Sequence, residues 1–348
     1  MKDELARAIA ALIDRLADGS RDDEARDRLL EEVARWQREH VEPYRRLWDA
    51  RGPLPAVPTD VFRYVRVASH PPERDVRVFL TSGTTSGARG RHAFADLSLY
   101  DRAARAAARW ALFPDRERMR LVMLAPSPDE APESSLSYML GRFDEWFGSA
   151  TRWVWRGGAL DVDALAAALE EAGSEPVALL GTSFAFVHAE DALGSRTFAL
   201  APGSRVMQTG GYKGRSREVE PGVLRAAIAA RYGVPEPFVI AEYGMTELSS
   251  QMYERTLRAA LQGERATRAL WVPGWVRTTV VDPLTLRPLP PGATGVLRID
   301  DLANLGSVCA IQTSDLAVLR EDGVELLGRA PGATPRGCSL AVEEALGG

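Results

Sequence analysis

Hydroxyl groups and glycines are concentrated in one ten-residue stretch, Thr81–Gly90, with Arg89 near its end. The stretch follows an apolar run, Val76–Leu80, that predicts a buried strand. Glycine lets backbone N–H groups turn toward an anion, and hydroxyl groups add neutral donors. The G-x-x-x-x-G-K-[ST] spacing of the P-loop is absent. The stretch therefore predicts a polyphosphate-binding loop of another kind, with a solvated hairpin as the alternative.

Two further motifs lie downstream of this loop. Glu242–Glu247 (EYGMTE) follows a predicted strand, and Thr313–Leu316 (TSDL) precedes a turn at Asp322–Gly323 that is closed by Gly328–Arg329. Taken singly, each motif has a structural alternative, because Tyr-Gly often forms a turn and an acidic residue after a strand often caps a helix. Their order and spacing are what carry the argument.

Together the three motifs resemble the adenylate-forming superfamily of acyl-CoA synthetases, nonribosomal adenylation domains and luciferases. The first is similar to its T-S-G-T-T-G-x-P-K-G loop, the second to its Y-G-x-T-E motif and the third to its G-D…G-R segment. Three longer stretches resemble the LuxE-type acyl-protein synthetases, the fatty-acid-activating components of bacterial bioluminescence reductases: Glu242–Tyr253, Asp301–Asp315 and Gly328–Leu340. The resemblance runs from about residue 75 to the C-terminus and leaves the substrate open.

The resemblance implies that ATP and Mg²⁺ are cofactors. The polyphosphate would be bound by the loop residues Thr81, Ser82, Gly83, Thr84, Thr85 and Arg89. Thr246 would contact the α-phosphate, and Glu247 would hold Mg²⁺, a hard cation that prefers oxygen ligands.

The resemblance also implies an adenosine site. Tyr243 would offer a flat face to adenine, and the opposing wall would be formed by Gly210, Gly211 and Tyr212. Asp315 would accept hydrogen bonds from the ribose hydroxyls, and Arg329 would reach the same region. A structural ion pair between Asp315 and Arg329 across a hairpin is the alternative.

The chain departs from the superfamily pattern at several places. The loop has Ser86, Ala88 and Arg89 where glycine, proline and lysine are usual, and serine precedes Asp315. The sequence ends 19 residues after Arg329, so we expect the mobile C-terminal lid domain, with its catalytic lysine, to be absent. Lys213, one of two lysines among 43 basic residues, is our candidate to supply that charge. A solvated loop lysine is the alternative.

Cys338, in the segment Arg-Gly-Cys-Ser, stands where the LuxE-type family carries a cysteine that takes the acyl group as a thioester. Nearby arginine would favour the nucleophilic thiolate. A small buried hydrophobe is the alternative for any free cysteine. Cys309, inside an apolar run, is predicted to be part of the core.

Composition excludes several classes of function. A formal net charge of −5 argues against nucleic acid as the partner, because phosphate-backbone binding needs a concentrated basic face. No apolar run approaches the roughly 20 residues that span a bilayer, and the N-terminus is charged, so we expect a cytoplasmic protein. Two cysteines and four scattered histidines argue against a disulfide framework or a zinc site.

Hydrophobic periodicity predicts the elements that position these residues. Apolar stripes predict helices over about 3–17 and 22–39, and strands then alternate with helices as far as residue 270. Short strands with turn signals follow. We expect an α/β adenylate-forming fold in three parts: an N-terminal helical segment packing on the core (1–75), an α/β core (76–270), and a β-rich subdomain with a C-terminal tail (271–348).

The sequence therefore predicts a ligase that activates a carboxylic acid, with a fatty acid favoured, as an acyl-adenylate. The acyl group would pass to the thiol of Cys338 or of a partner, such as an acyl-accepting reductase or a carrier protein. Transfer to coenzyme A, a carrier protein or an amine is one alternative. A nucleotide-binding subunit without catalytic activity is another.

Overall fold

The structure is a computed structural model that describes residues 1–82, 88–210, 219–330, 342 and 344–346. Its α-helices are α1 (Lys2–Arg15), α2 (Asp23–His40), α3 (Glu42–Arg51), α4 (Val61–Tyr64), α5 (Ser98–Ala111), α6 (Ser135–Phe147), α7 (Val162–Ala172), α8 (Ser183–Leu193), α9 (Pro221–Tyr232) and α10 (Thr256–Leu261). Short 3₁₀ helices lie at Pro72–Arg74, Glu236–Phe238 and Leu302–Asn304.

The strands are β1 (Val57–Pro58), β2 (Arg77–Leu80), β3 (Arg91–Phe94), β4 (Met119–Leu124), β5 (Gly148–Trp153), β6 (Trp155–Arg156), β7 (Ala159–Leu160), β8 (Val177–Thr182), β9 (Arg205–Thr209), β10 (Val239–Tyr243), β11 (Met252–Glu254), β12 (Leu270–Trp271), β13 (Val276–Val281), β14 (Thr294–Asp301), β15 (Ala310–Arg320) and β16 (Gly323–Arg329). Helices and strands alternate through the middle of the chain, as the sequence predicts.

Side-chain caps fix the start of several of these helices. Asp22 accepts a hydrogen bond from the Ala25 amide at α2, and Asp161 accepts one from Ala164 at α7. Thr182 does the same for α8. Each cap satisfies one of the amides that a helix leaves free in its first turn. Asp161 is thus the N-cap residue of α7.

The chain folds into two compact units, of which one comprises residues 108–244 and 253–268. Its centre is a parallel sheet in the order β10-β9-β8-β4-β5. Parallel sheets are covered on their faces and built from nearly continuous apolar runs. Here the side chains of α7, α8 and α9 pack with the strands in one buried apolar cluster. The strands end together at Thr182, Thr209 and Tyr243, which defines one carboxyl edge.

The other unit comprises residues 1–107, 245–252 and 269–348. It contains an antiparallel sheet in the order β13-β14-β15-β16-β12, with β1 parallel to β15, and a separate hairpin of β2 and β3. The hairpin predicted at Asp322–Gly323 is confirmed, because β15 and β16 pair from Arg320 and Gly323 onward. The predicted division at 270/271 lies beside the unit boundary at Arg268, whereas residues 1–75 and 76–107 fall in the same unit.

A buried amide joins α2 to the segment between β14 and β15 within this unit. Gln37 of α2 donates hydrogen bonds to the carbonyls of Asn304 and Leu305, each at 3.0 Å, and accepts one from the Cys309 amide at 2.8 Å. Cys309 is fully buried, which confirms the prediction that it belongs to the core. None of the helices in the described ranges is both long and apolar enough to cross a membrane.

Candidate active site

The predicted phosphate-binding stretch begins directly after β2 and ends directly before β3, and its first and last residues are hydrogen-bonded to each other. Thr81 donates its amide hydrogen to the Gly90 carbonyl, and the Gly90 amide donates to the Thr81 hydroxyl, both at 2.9 Å. The Arg89 Nε atom donates to the Thr81 carbonyl at 2.6 Å. A Cβ atom on Gly90 would lie 2.9 Å from the Thr81 methyl carbon, so the close approach requires glycine.

Thr81 and Arg89 therefore close the base of the loop, and Ser82 follows Thr81 in an exposed position. Their predicted contacts with phosphate stay predictions. Gly83, Thr84 and Thr85, which are predicted to bind the same phosphates, lie outside the described residues.

The predicted adenine-binding residues Gly210 and Tyr243 stand at the carboxyl edge of the parallel sheet. Thr209 and Glu242 are paired in register on β9 and β10, so Gly210 and Tyr243 occupy the next positions of neighbouring strands. Ligands of parallel α/β sheets bind outside this edge. Gly210 has a φ of +70°, a conformation that glycine adopts without strain, and no atom of the described residues, apart from those of Gly210 and its chain neighbours, lies within 4 Å of the Cβ position. Gly211, Tyr212 and Lys213 lie outside the described residues.

A buried carboxyl group lies on β10 directly before Tyr243. Glu242 is 6% exposed, and its Oε2 atom is hydrogen-bonded to the Thr209 hydroxyl. Burial raises the pKa of Glu242 to about 7, and the Thr209 hydrogen bond opposes that rise. The sequence analysis assigns Glu242 no role. The available signal is an acidic residue that follows the apolar run Val239–Ala241 inside one strand.

Thr246 and Glu247 occupy the two central positions of a β-turn. The Leu248 amide donates to the Met245 carbonyl at 3.2 Å and closes the turn. The Thr246 carbonyl accepts a hydrogen bond from His92 Nδ1 at 2.7 Å, and the Glu247 carbonyl accepts one from Asn304 Nδ2 at 2.8 Å. The carboxylate-bearing side chain of Glu247 is largely buried.

His92 was not found by sequence reasoning, which considers the histidines only as metal ligands. It is 1% exposed, and burial lowers its pKa to about 4, so the imidazole is neutral near pH 7. Because a carbonyl can only accept, the hydrogen is assigned to Nδ1. The ring packs on Phe94 with centroids 4.1 Å apart and meets Phe62 edge-on at 5.8 Å.

The residues after Glu247 are fixed by a buried carboxylate. The Asp301 Oδ2 atom accepts from the amides of Ser249 and Ser250 at 2.9 and 2.8 Å, and Oδ1 accepts from the Ser250 hydroxyl at 2.7 Å. Burial raises the pKa of Asp301, although these hydrogen bonds favour the ionised form. Asp301 and Asn304 belong to a stretch that carries the family resemblance, but the sequence alone assigns neither a role.

Asp315 and Arg329 face each other across the β15–β16 hairpin. They are register partners, and Arg329 Nε lies 3.3 Å from Asp315 Oδ1. The Arg329 side chain is 73% exposed, whereas that of Asp315 is mostly covered. The structure thus contains the ion pair that the sequence analysis leaves as the alternative. The predicted contacts of both residues with ribose stay predictions.

The donor set around Glu247 is compatible with Mg²⁺. Within the described ranges, no three His, Cys, Asp or Glu side chains cluster as a metal site. One carboxylate with a neighbouring hydroxyl, that of Thr246, is what Mg²⁺ uses when phosphates and water supply its other ligands. Cys338, the predicted acyl acceptor, lies outside the described residues.

Comparison with known proteins gives a family and a fold. Residues 47–347 match the family model described as acyl-protein synthetase, LuxE. A long-chain-fatty-acid–luciferin-component ligase of Vibrio harveyi is 32% identical over 81 residues, which is 21% of this chain and 21% of that protein. The chain thus aligns with about a fifth of the curated relative's length.

Solved structures of adenylate-forming ligases share the fold. 2-Hydroxyisobutyryl-CoA ligase, in complex with 2-HIB-AMP and CoA, has a TM-score of 0.65 at 18% identity, covering 90% of this chain and 76% of that one. ATP-bound MatB from Rhodopseudomonas palustris has a TM-score of 0.51 at 19% identity, covering 72% and 47%. The amide bond synthetase McbA from Marinactinospora thermotolerans has a TM-score of 0.51 at 19% identity, and the match covers 76% of this chain and 52% of that one. The predicted α/β adenylate-forming fold is confirmed.

Proposed function

Because the chain belongs to the LuxE family of acyl-protein synthetases, as its motifs predict, we propose that it is a ligase that activates a carboxylic acid with ATP. The acid would be converted to an acyl-adenylate. The observation that carries the proposal is the Tyr-Gly-x-Thr-Glu motif, in which buried side-chain donors hold the backbone of Thr246 and Glu247.

The reaction joins two anions. The substrate carboxylate attacks the α-phosphorus of ATP, a carbon–oxygen–phosphorus anhydride forms, and the bond to pyrophosphate breaks. Catalysis therefore needs concentrated positive charge and exact positioning more than a covalent intermediate on the protein. Mg²⁺, when bound, neutralises phosphate charge, and Glu247 is the residue that would hold it.

The remaining site residues take roles around the nucleotide. Thr81, Ser82 and Arg89 would bind the β- and γ-phosphates at the mouth of the hairpin loop. Gly210 and Tyr243 would enclose adenine at the carboxyl edge of the parallel sheet. Asp315 would accept from the ribose hydroxyls, and the exposed Arg329 side chain has the freedom to turn from Asp315 toward the nucleotide.

We further propose that the acid is a fatty acid and that Cys338 accepts the acyl group before it passes to a reductase or carrier protein. The name of the Vibrio harveyi relative, a long-chain-fatty-acid ligase, supports the choice of acid. The thiolate would attack the acyl carbon, a thioester would form, and AMP would leave with the bonding electrons. Coenzyme A or an amine as acceptor would give the same first step.

Pyrophosphate exchange over a panel of carboxylic acids tests the first step. We expect acid-dependent exchange in the wild type, its loss in Glu247→Gln, and its retention in the exposed Glu264→Gln, which removes the same charge elsewhere. ATP binding without exchange for any acid would instead favour a non-catalytic nucleotide-binding subunit. Intact-mass analysis after ATP and acid tests the acceptor: an adduct that persists in Cys338→Ser would exclude Cys338.

A further inference from the structure

We infer that His92 and Asn304 are positioning residues that set the Thr246–Glu247 turn for nucleotide activation. The inference rests on the proposed function for its chemistry, but its structural part concerns the turn alone. Neither residue belongs to the three nucleotide-site motifs, although Asn304 lies in a stretch, Asp301–Asp315, that resembles the LuxE-type family. Both act through the backbone of the residues that would meet the α-phosphate and Mg²⁺.

The turn leaves two carbonyls without internal partners. In a β-turn the hydrogen bond joins the first carbonyl to the fourth amide, here Met245 to Leu248, and the two central carbonyls point away from it. Buried carbonyls of this kind need donors from elsewhere. His92 supplies one to Thr246 and Asn304 supplies the other to Glu247. Two successive peptide planes are thereby fixed by two separate elements.

Both donors are held in place by their own surroundings. The His92 ring is confined between Phe62 and Phe94. The Asn304 amide also donates to the Val308 carbonyl at 2.9 Å and accepts from the Ser249 hydroxyl at 2.8 Å. Since neither donor is free to turn, the arrangement is set before any nucleotide binds, which is the condition for electrostatic catalysis by prepared groups.

His92 also joins two predicted phosphate-binding elements. It lies on β3, the strand that resumes the hairpin directly after Arg89 and Gly90. A displacement of the hairpin is therefore transmitted to the Thr246 carbonyl through one 2.7 Å hydrogen bond. The base of the loop and the turn are therefore coupled through His92.

The test uses the full-length protein and a matched pair of histidine variants. His92→Phe keeps the aromatic packing and removes the donor. His40→Phe makes the same change at an exposed ring whose Nδ1 lies 2.7 Å from the Trp36 carbonyl and which stacks on Trp36 at 4.5 Å. Asn304→Asp removes the second donor, and Ser249→Ala is a milder variant that loosens the Asn304 amide if Asn304→Asp does not fold.

We expect the peptide spanning Met245–Met252 to exchange its amide hydrogens faster in His92→Phe and Asn304→Asp than in the wild type or His40→Phe. We expect kcat for pyrophosphate exchange to fall about tenfold in His92→Phe, with KM for the acid changed by less than about twofold. Equal hydrogen exchange and equal kcat in His92→Phe and His40→Phe would overturn the inference. A wild type without pyrophosphate exchange would refute the proposed function, and the hydrogen-exchange comparison would still decide the positioning role.

Discussion

Glu242 gives this chain a pH dependence opposite to that of most carboxyl groups. Its side chain is buried at the end of β10 against Thr209, and burial raises its pKa from the ordinary 4.5 to about 7. No cationic side chain among the described residues is paired with it to offset that burial. The perturbation that isolates the effect is Glu242→Gln, which preserves the shape and a hydrogen-bond partner for Thr209 but cannot ionise.

The sign of the pH dependence follows from which state, folded or unfolded, holds the Glu242 proton. Between pH 4.5 and 7 the unfolded chain has lost the Glu242 proton and the folded chain keeps it, so the free energy of unfolding falls as pH rises. Each tenfold difference in proton affinity corresponds to about 1.4 kcal/mol. Ionisation of Glu242 therefore lowers the free energy of unfolding by about 3 kcal/mol. This loss is complete above pH 7 and absent below pH 4.5.

Denaturant unfolding at pH 5 and pH 8 measures this difference. We expect the difference in free energy of unfolding between Glu242→Gln and the wild type to shift in favour of the variant by about 2–3 kcal/mol from pH 5 to pH 8. Glu264→Gln, at an exposed position, removes the same charge and should show no such shift. An equal difference between Glu242→Gln and the wild type at both pH values would refute the argument from burial.

Three further outcomes test other features of the chain. Gly210→Ala puts a side chain on a backbone with φ +70°, so we expect the free energy of unfolding to fall by about 1–2 kcal/mol and calorimetry to show weaker ATP binding. Wild-type stability together with wild-type ATP binding would contradict the need for glycine. Asp301→Asn leaves at least one of the Ser249, Ser250 and Ala303 amides without an acceptor, so we expect the free energy of unfolding, measured with denaturant, to fall by about 2–4 kcal/mol. A change under about 0.5 kcal/mol would contradict the buried network. Lys213→Ala should slow pyrophosphate exchange about 100-fold, whereas a rate equal to that of Lys2→Ala would remove Lys213 from the mechanism.

Much of the fold was predictable because local signals agreed. Hydrophobic patterning predicts a strand over Val177–Thr182 and a helix over Pro221–Tyr232, and β8 and α9 have those bounds. In each case an apolar run is bounded by residues that favour a cap or a turn, so propensity and hydrophobic pattern lead to the same answer. The same pattern predicts only a short strand over Ala317–Arg320, whereas β15 begins at Ala310.

The difference at β15 has a physical cause. Its first half contains the polar segment Gln312–Asp315, which shows no strand periodicity. That half is extended because it pairs with the preceding strand β14 and with β1, and β1 lies far away in the sequence. Pairing between distant strands overrides local preference, and single-sequence patterns do not record it.

The residues of the candidate site also differ in whether their positions could be predicted from the sequence. The family resemblance implies that Gly210 and Tyr243 lie together, and the structure places them at the ends of neighbouring parallel strands. His92 could not be placed, because its acceptor, Thr246, lies 154 residues away and no spacing rule joins an imidazole to a distant carbonyl. Motifs identify groups that touch a ligand, whereas the groups that hold those motifs in place are visible only after folding.

The amide of Gln37 has a consequence for how this chain can be shortened. The family match begins at residue 47, yet Gln37 holds the carbonyls of Asn304 and Leu305 and the amide of Cys309. Truncation at the family boundary would remove all three of these hydrogen bonds, each of which contributes about 0.5–1.5 kcal/mol, although the Asn304 carbonyl keeps a second donor in the Ser307 amide at 3.2 Å. Residues that precede the family match therefore help to hold Asn304 and Cys309 in place.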